Sequence, residues 1–289
     1  MSFRRLRFTL ALGFACGSAI AAPPKNFDSV FADDNVADIR VTIGYWDDNG
    51  KRPADTAHVS PYLRDKLFKM GFRSKSGLAE EYGVKPARFP WESLFHVFEK
   101  DIGGGRKVRV ALISSSLGLN ADPESAKQQA ASDNARAFLI KGAQEAEIWM
   151  YTGHSREGGG PDTYPPVLLD NGYLNYAYYR KQKPGLKEIM DTFAEREEKP
   201  VLVGSMSCSS HRHFYGFLSR ALADREPDTV LVLSGNTMQG YVPPNSVLAV
   251  IRTVVEGKSV GDLDKSLKAC QEGAVKPGFA PYMEIFYPR

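Results

Sequence analysis

The sequence predicts an α/β fold: a mainly parallel sheet with helices on both faces, in a three-layer sandwich. Two observations carry this expectation. Short apolar runs at 107–113, 147–151, 200–204 and 229–233 have strand length and composition. Segments with helical apolar spacing at 123–142, 186–196, 214–223 and 246–255 stand between or beyond them, the alternation that joins parallel strands by crossover helices. A third observation, the length of 289 residues, allows a large buried core.

The first residues lie outside that pattern. Arg4, Arg5 and Arg7 precede an apolar stretch over 8–15, and Ser18-Ala19-Ile20-Ala21 places small residues where a signal peptidase needs them. The segment 1–21 therefore reads as a secretory signal peptide cut after Ala21, with the mature chain periplasmic or secreted. Gly13-Phe14-Ala15-Cys16 sets a bulky ring where a lipoprotein site needs a small residue. The stretch is also shorter than the roughly 20 residues of a membrane span, and no later segment qualifies. The chain carries 37 Lys and Arg against 34 Asp and Glu. Loss of the leader's arginines evens the two, which removes the electrostatic case for nucleic acid as a partner. Residues 22–105 form an N-terminal part that offers a first strand and helices to the same domain, and 106–289 form the α/β core.

Along the chain, 37–46 alternates as a strand and ends in the turn Asp47-Asp48-Asn49-Gly50. Leu63, Leu67 and Phe68 mark a helix over 61–70 with Gly71 as its terminator, and 91–98 reads as a second short helix. Gly103-Gly104-Gly105 precedes the strand at 107–113 and lacks a following Lys-Ser or Lys-Thr, so it reads as a turn and not a phosphate loop. The helix at 123–142 has Asp122 as N-cap and Gly142 as terminator. Gly158-Gly159-Gly160-Pro161-Asp162 forces a loop, and Asn171-Gly172 favours a tight hairpin over 167–174. The tyrosines Tyr173, Tyr176, Tyr178 and Tyr179 suit hairpin or core packing better than ligand stacking. A crossover helix at 186–196 leads to the strand at 200–204. Helices at 214–223, 246–255 and 260–269 and a strand at 229–233 complete the pattern.

The chemistry lies just past two of the strands. The run ending at Tyr151 leads to His154, and the run ending at Gly204 leads to Cys208. Consecutive parallel strands often lie side by side, and residues past their carboxyl ends share the crevice where α/β proteins bind ligands. A thiol reacts as thiolate, and free cysteine has a pKa near 8.5, so a neighbouring imidazole or helix amino terminus is needed at neutral pH. His154 supplies the imidazole. The helix expected from 214 points backbone N–H groups toward the thiol region, where they also suit an oxyanion.

These residues resemble the caspase-haemoglobinase fold of cysteine peptidases, which includes caspases, legumains, gingipain-type enzymes and related bacterial domains. In that group a hydrophobic strand ends in a His-Gly element, and about 50 residues later another ends two residues before the catalytic cysteine. Trp149-Met150-Tyr151-Thr152-Gly153-His154 is similar to the first element, and Leu202-Val203-Gly204-Ser205-Met206-Ser207-Cys208 to the second. The similarity spans 107–269. It implies a caspase-like three-layer sandwich, Cys208 as nucleophile, His154 as general acid and base, and a peptide or protein substrate, with no metal or cofactor. It implies oxyanion binding by backbone N–H groups at Gly153, Ser155 and Ser209. It leaves substrate recognition to the loops 156–162 and 234–241, with Glu157 and Asp162 as a pocket for a basic residue and Ser234 and Asn236 on the second loop. The chain departs from the family where glycine commonly follows the histidine and where a Cys-x-Gly element is frequent: here stand His154-Ser155 and Cys208-Ser209-Ser210.

Two other readings compete. In an oxidising compartment the mature cysteines Cys208 and Cys270 make a disulfide in a non-catalytic binding domain an alternative. Cys208, His211 and His213 form a compact cluster of metal-ligand types, although two histidines one residue apart diverge on a helix. Gly153-His154-Ser155-Arg156-Glu157 fails the Gly-x-Ser-x-Gly elbow of serine hydrolases, because Glu157 stands where the second glycine belongs.

Overall fold

The structure, a computed structural model, describes residues 26–45, 56–85, 94–117, 122–223, 229–236, 242–272 and 283–288. The expected leader at 1–21 and the expected turn at 47–50 lie outside the described residues. Eight strands form one sheet: β1 (Val36–Ile43), β2 (Arg73–Lys75), β3 (Phe95–Gly103), β4 (Arg106–Ser114), β5 (Ile148–Thr152), β6 (Leu202–Met206), β7 (Val230–Ser234) and β8 (Met283–Phe286). Their spatial order is β2, β3, β4, β1, β5, β6, β7, β8. The central five, from β4 to β7, are mutually parallel. Antiparallel pairings of β2 with β3, β3 with β4 and β8 with β7 complete the edges. The expected division at 105/106 falls in the turn of the β3–β4 hairpin, so both parts contribute to one sheet.

Alternate side chains of each strand enter opposite layers. On one face Ile39, Val41, Met150, Leu202 and Val232 pack with Leu63 and Leu67 of α1 (Thr56–Lys69), Val247 and Ile251 of α6 (Val242–Val255) and Leu263 of α7 (Val260–Ala269). On the other, Trp149, Tyr151, Val203 and Leu231 pack with Leu139 of α2 (Ala126–Glu145), Ile189 and Phe193 of α4 (Leu186–Glu195) and Leu218 of α5 (Ser210–Leu222). A third cluster of Tyr82, Val97, Ile113 and Phe138 extends this second face over β3 and β4. Each fully buried Leu or Ile contributes about 1.5–3 kcal/mol relative to exposure. The result is the α/β sandwich that the chain's alternating pattern predicts.

Several boundaries differ from the sequence pattern, each for a local reason. Of the expected helix at 91–98, residues 91–93 lie outside the described residues and 95–98 belong to β3, because Gly103, Gly104 and Gly105 all take positive φ and turn this segment back onto β4. Sheet pairing here outweighs local helical spacing. In α2 the N-cap is Ser125, whose hydroxyl accepts the Gln128 N–H, and the helix runs past Gly142. Gly142 serves close packing instead: a Cβ there would stand 3.1 Å from the Trp149 ring. Residues 176–182 form α3 (Tyr176–Gln182), which buries Tyr179 and leaves Tyr173 and Tyr176 exposed. The hairpin around Asn171-Gly172 reduces to one bridge between Leu168 and Leu174. Helix α5 begins four residues earlier than expected, at Ser210. Among the described residues no helix is long and apolar enough to cross a membrane.

Candidate active site

The register of β5 and β6 sets the frame. The strands are parallel, with Ile148 opposite Leu202 and Thr152 opposite Met206 at the last paired position. His154 and Cys208 each stand two residues beyond that pair. The Gly153 N–H donates to the Met206 carbonyl at 3.5 Å, which carries the ladder one step further. Neighbouring strands are spaced at about 4.8 Å, so the two backbones leave the sheet side by side. Both residues are half-buried, and Cys208 packs against the core on the α1, α6 and α7 face.

The chain reverses sharply after β6. Ser209 takes the left-handed conformation, φ 51° and ψ 33°, and α5 starts at the next residue. For a residue with a Cβ that conformation costs on the order of 1–2 kcal/mol, and a web of hydrogen bonds holds it. The Ser209 N–H donates to the Asn236 carbonyl at 2.8 Å. The Ser210 hydroxyl donates to the Ser205 carbonyl and accepts the Ser234 N–H, each at 2.7 Å. The Ser234 hydroxyl donates to the Asn236 carbonyl at 2.6 Å, and the Ser205 and Ser207 hydroxyls meet at 2.9 Å. The end of β7 thus braces the Cys208 turn. The early start of α5 sets its amino terminus two residues from the thiol.

The turn after β5 is built differently. Tyr151 is fully buried, and its hydroxyl lies 3.1 Å from the carbonyls of His154 and Asp162 and accepts the Asp162 N–H at 3.1 Å. A Cβ on Gly153 would fall 2.4 Å from that oxygen, and one on Gly44 2.3 Å from it. Arg156 and Asp162 are 3% and 5% exposed, with Nε and Oδ2 3.7 Å apart. The Arg156 guanidinium also donates to the Tyr45 carbonyl at 3.5 Å and lies over the Tyr179 ring at 5.6 Å. Burial pushes the Asp162 carboxyl above its ordinary range, while Arg156 draws it down. The Tyr45 N–H donates to the Asp162 carbonyl at 3.2 Å. Strand order reverses between β1 and β5, the usual ligand crevice of such sheets. Here the chain's own 153–162 segment packs against the end of β1, through the Asp162 carbonyl and the Arg156 guanidinium on Tyr45.

These contacts revise several expected roles. The N–H groups of Gly153 and Ser209 donate to backbone carbonyls, so neither fits the oxyanion role expected of it. Ser155 is the third expected donor, and its amide makes no hydrogen bond among the described residues. Asp162 is a buried partner of Arg156 and does not line a pocket with Glu157. Glu157 is exposed and lies near His213, whose ring packs on Gly158. Burial lowers the His213 pKa, and the Glu157 charge opposes the shift. Ser234 is fully buried and engaged through both its amide and its hydroxyl, so it braces the turn and does not face substrate. Asn236 is half-buried, and its carbonyl serves the same brace. Of the loop expected at 234–241, residues 237–241 lie outside the described residues.

The competing readings meet the same geometry. Cys208 and Cys270 are not bridged; the Cys270 thiol donates to the Asn245 carbonyl at 3.5 Å, and burial raises its pKa. His211 stacks on Phe286 with ring centres 4.1 Å apart, while His213 faces Gly158. Among the described residues no group of three His, Cys, Asp or Glu side chains is placed to hold a metal. Sequence reasoning missed Tyr151 and the left-handed Ser209. The first had a signal in the flanking Gly44 and Gly153, but only the fold brings these two glycines to one hydroxyl. No protein-family model, curated protein or solved structure matches the chain.

Proposed function

We propose that the chain is an exported cysteine peptidase-like hydrolase of the caspase-haemoglobinase type, acting on a peptide or protein substrate through Cys208 and His154. The observation that carries this reading is the register: a thiol and an imidazole at equal distance past the last paired residues of adjacent parallel strands. The α5 amino terminus beside Cys208 supports it, since the partial positive charge there favours a thiolate. The Ser155 N–H, which makes no hydrogen bond among the described residues, supports it as well, at the position where the resemblance sets an oxyanion donor.

In this scheme the Cys208 thiolate attacks the substrate carbonyl carbon, and the carbonyl electron pair moves to oxygen, toward the Ser155 N–H. Collapse of the intermediate breaks the C–N bond, and the amine leaves with a proton from the His154 imidazolium. Water then attacks the thioester while giving a proton to His154, which releases the acid and restores the thiolate. The scheme uses no metal or cofactor.

Replacing Cys208 or His154 by alanine is expected to abolish hydrolysis of a fluorogenic peptide library without changing the melting temperature. Iodoacetamide at mildly acidic pH is expected to label Cys208 in the wild type, as read by peptide mass mapping. Turnover that persists in Cys208→Ala removes the reading. N-terminal sequencing of the exported protein is expected to start at Ala22.

A further inference from the structure

Tyr151 is the last large side chain of β5 before the turn that carries His154. It shares its strand face with Trp149, yet its polar atom is used in a different way. The Trp149 indole N–H donates to the Leu139 carbonyl at 3.0 Å and ties the strand to α2. The Tyr151 hydroxyl ties the strand to the turn itself: it accepts the Asp162 N–H and shares its single proton between the carbonyls of His154 and Asp162, each 3.1 Å away. One phenol oxygen therefore holds the two ends of the 154–162 segment. The missing Cβ atoms of Gly44 and Gly153 admit the ring edge and its oxygen. The Gly153 N–H ties the entry of the turn to the Met206 carbonyl of β6, and the Ser155 carbonyl accepts the N–H groups of Gly158 and Gly160 within the turn. The phenol adds the link from the turn to β5 itself.

Resting on the hydrolase reading, we propose that Tyr151 is a positioning residue: its hydroxyl fixes the His154 backbone against β5 and so sets the imidazole relative to Cys208. A displacement of a reacting group by about 1 Å can lower turnover about 100-fold, so the anchor acts on the chemical step more than on substrate binding. Tyr151→Phe removes the anchor and keeps the ring. Trp149→Phe is the matched control, because it removes a buried hydrogen bond from the same strand and face without touching the His154 turn. Tyr151→Phe is expected to lower kcat about 10- to 100-fold with KM within about twofold. Trp149→Phe is expected to lower the melting temperature while leaving kcat per folded molecule unchanged. Equal kcat in Tyr151→Phe and wild type, or an equal loss in Trp149→Phe, overturns the proposal.

If the wild type shows no Cys208-dependent hydrolysis, the hydrolase reading fails, and NMR titration of the His154 ring still tests the anchor. Tyr151→Phe is then expected to shift or broaden the His154 ring resonances, and Trp149→Phe is not. Unchanged His154 resonances in Tyr151→Phe overturn the anchoring role.

Discussion

The turn that carries His154 is held by a buried charge pair and one large phenol, whereas the neighbouring turn that carries Cys208 is held by a web of small hydroxyls. After β5, a phenol, two glycines that make room for it and an Arg–Asp pair fill the space. After β6, the hydroxyls of Ser205, Ser207, Ser210 and Ser234 thread a strained backbone. Both solutions fix a residue just beyond a strand end. They fail for different reasons, the first when a charge is orphaned, an atom is added or its one phenol oxygen is lost, the second when one of several small hydroxyls is removed.

The largest effect is expected from orphaning a charge. Arg156→Met leaves Asp162 buried without its partner, a change that typically costs 3–5 kcal/mol; the 3.7 Å separation of this pair points to the lower end, about 3 kcal/mol. The loss depends on pH with a definite sign. Burial already raises the Asp162 carboxyl and Arg156 opposes the shift, so without Arg156 the folded state binds the proton still more readily than the unfolded chain. Stability of the variant therefore rises as pH falls. Urea midpoints near pH 5 and pH 8 should show the variant closer to wild type at the lower pH, and a pH-independent gap would break this account of the turn.

Adding volume comes next. Gly153→Ala forces a Cβ to within 2.4 Å of the buried Tyr151 oxygen, and overpacking of this kind costs about 1–3 kcal/mol. On the other turn the comparable lesion is a deletion. Ser210→Ala removes the acceptor of the buried Ser234 N–H and the donor to the Ser205 carbonyl, a loss of about 2 kcal/mol. Denaturant midpoints measure both. A Gly153→Ala variant as stable as wild type would remove the steric half of the comparison, and a neutral Ser210→Ala would remove the hydrogen-bonded half.

How much of this was legible in the sequence follows the same division. Strands β5 and β6 show as apolar runs, the crossover helix between them shows in its spacing, and α7 matches its expected bounds because Ser259 and Asp262 form a capping box at its start. The placement of His154 and Cys208 on one rim follows from those elements alone. The hidden parts depend on contacts distant in sequence. Gly158-Gly159-Gly160 has the composition of an exposed loop, yet it is buried because Tyr179 and Gly185 close over it. Asp162 has no charged neighbour in sequence that marks it as buried, since Arg156 reaches it only through three successive residues with positive φ. Ser209 is not glycine, so its left-handed backbone depends on the Asn236 carbonyl, contributed by another strand's end.

The smallest effect sharpens the comparison by leaving the rim alone. Glu147 immediately precedes β5, at the opposite end of the strand from His154, and its carboxylate accepts the Asp38 N–H at 2.8 Å. Burial raises its pKa from an ordinary 4.5 to about 7; hydrogen bonds from the Asp38 and Glu147 backbones oppose the shift, the Asp38 charge adds to it and Arg196 opposes it. The folded state therefore holds the proton more tightly than the unfolded chain, and stability falls as pH rises from about 4.5 to about 7 and levels off above. Glu147→Gln keeps an acceptor for Asp38 and removes the charge. It is expected to stabilise the fold by about 1 kcal/mol above pH 7, after discounting for partial exposure, and to give no gain below pH 4.5. Melting temperatures across that range test the sign, while hydrolysis by the variant should keep the wild-type pH profile. A shifted activity profile would mean that the two ends of β5 are coupled and that the rim is not held by its own two turns alone.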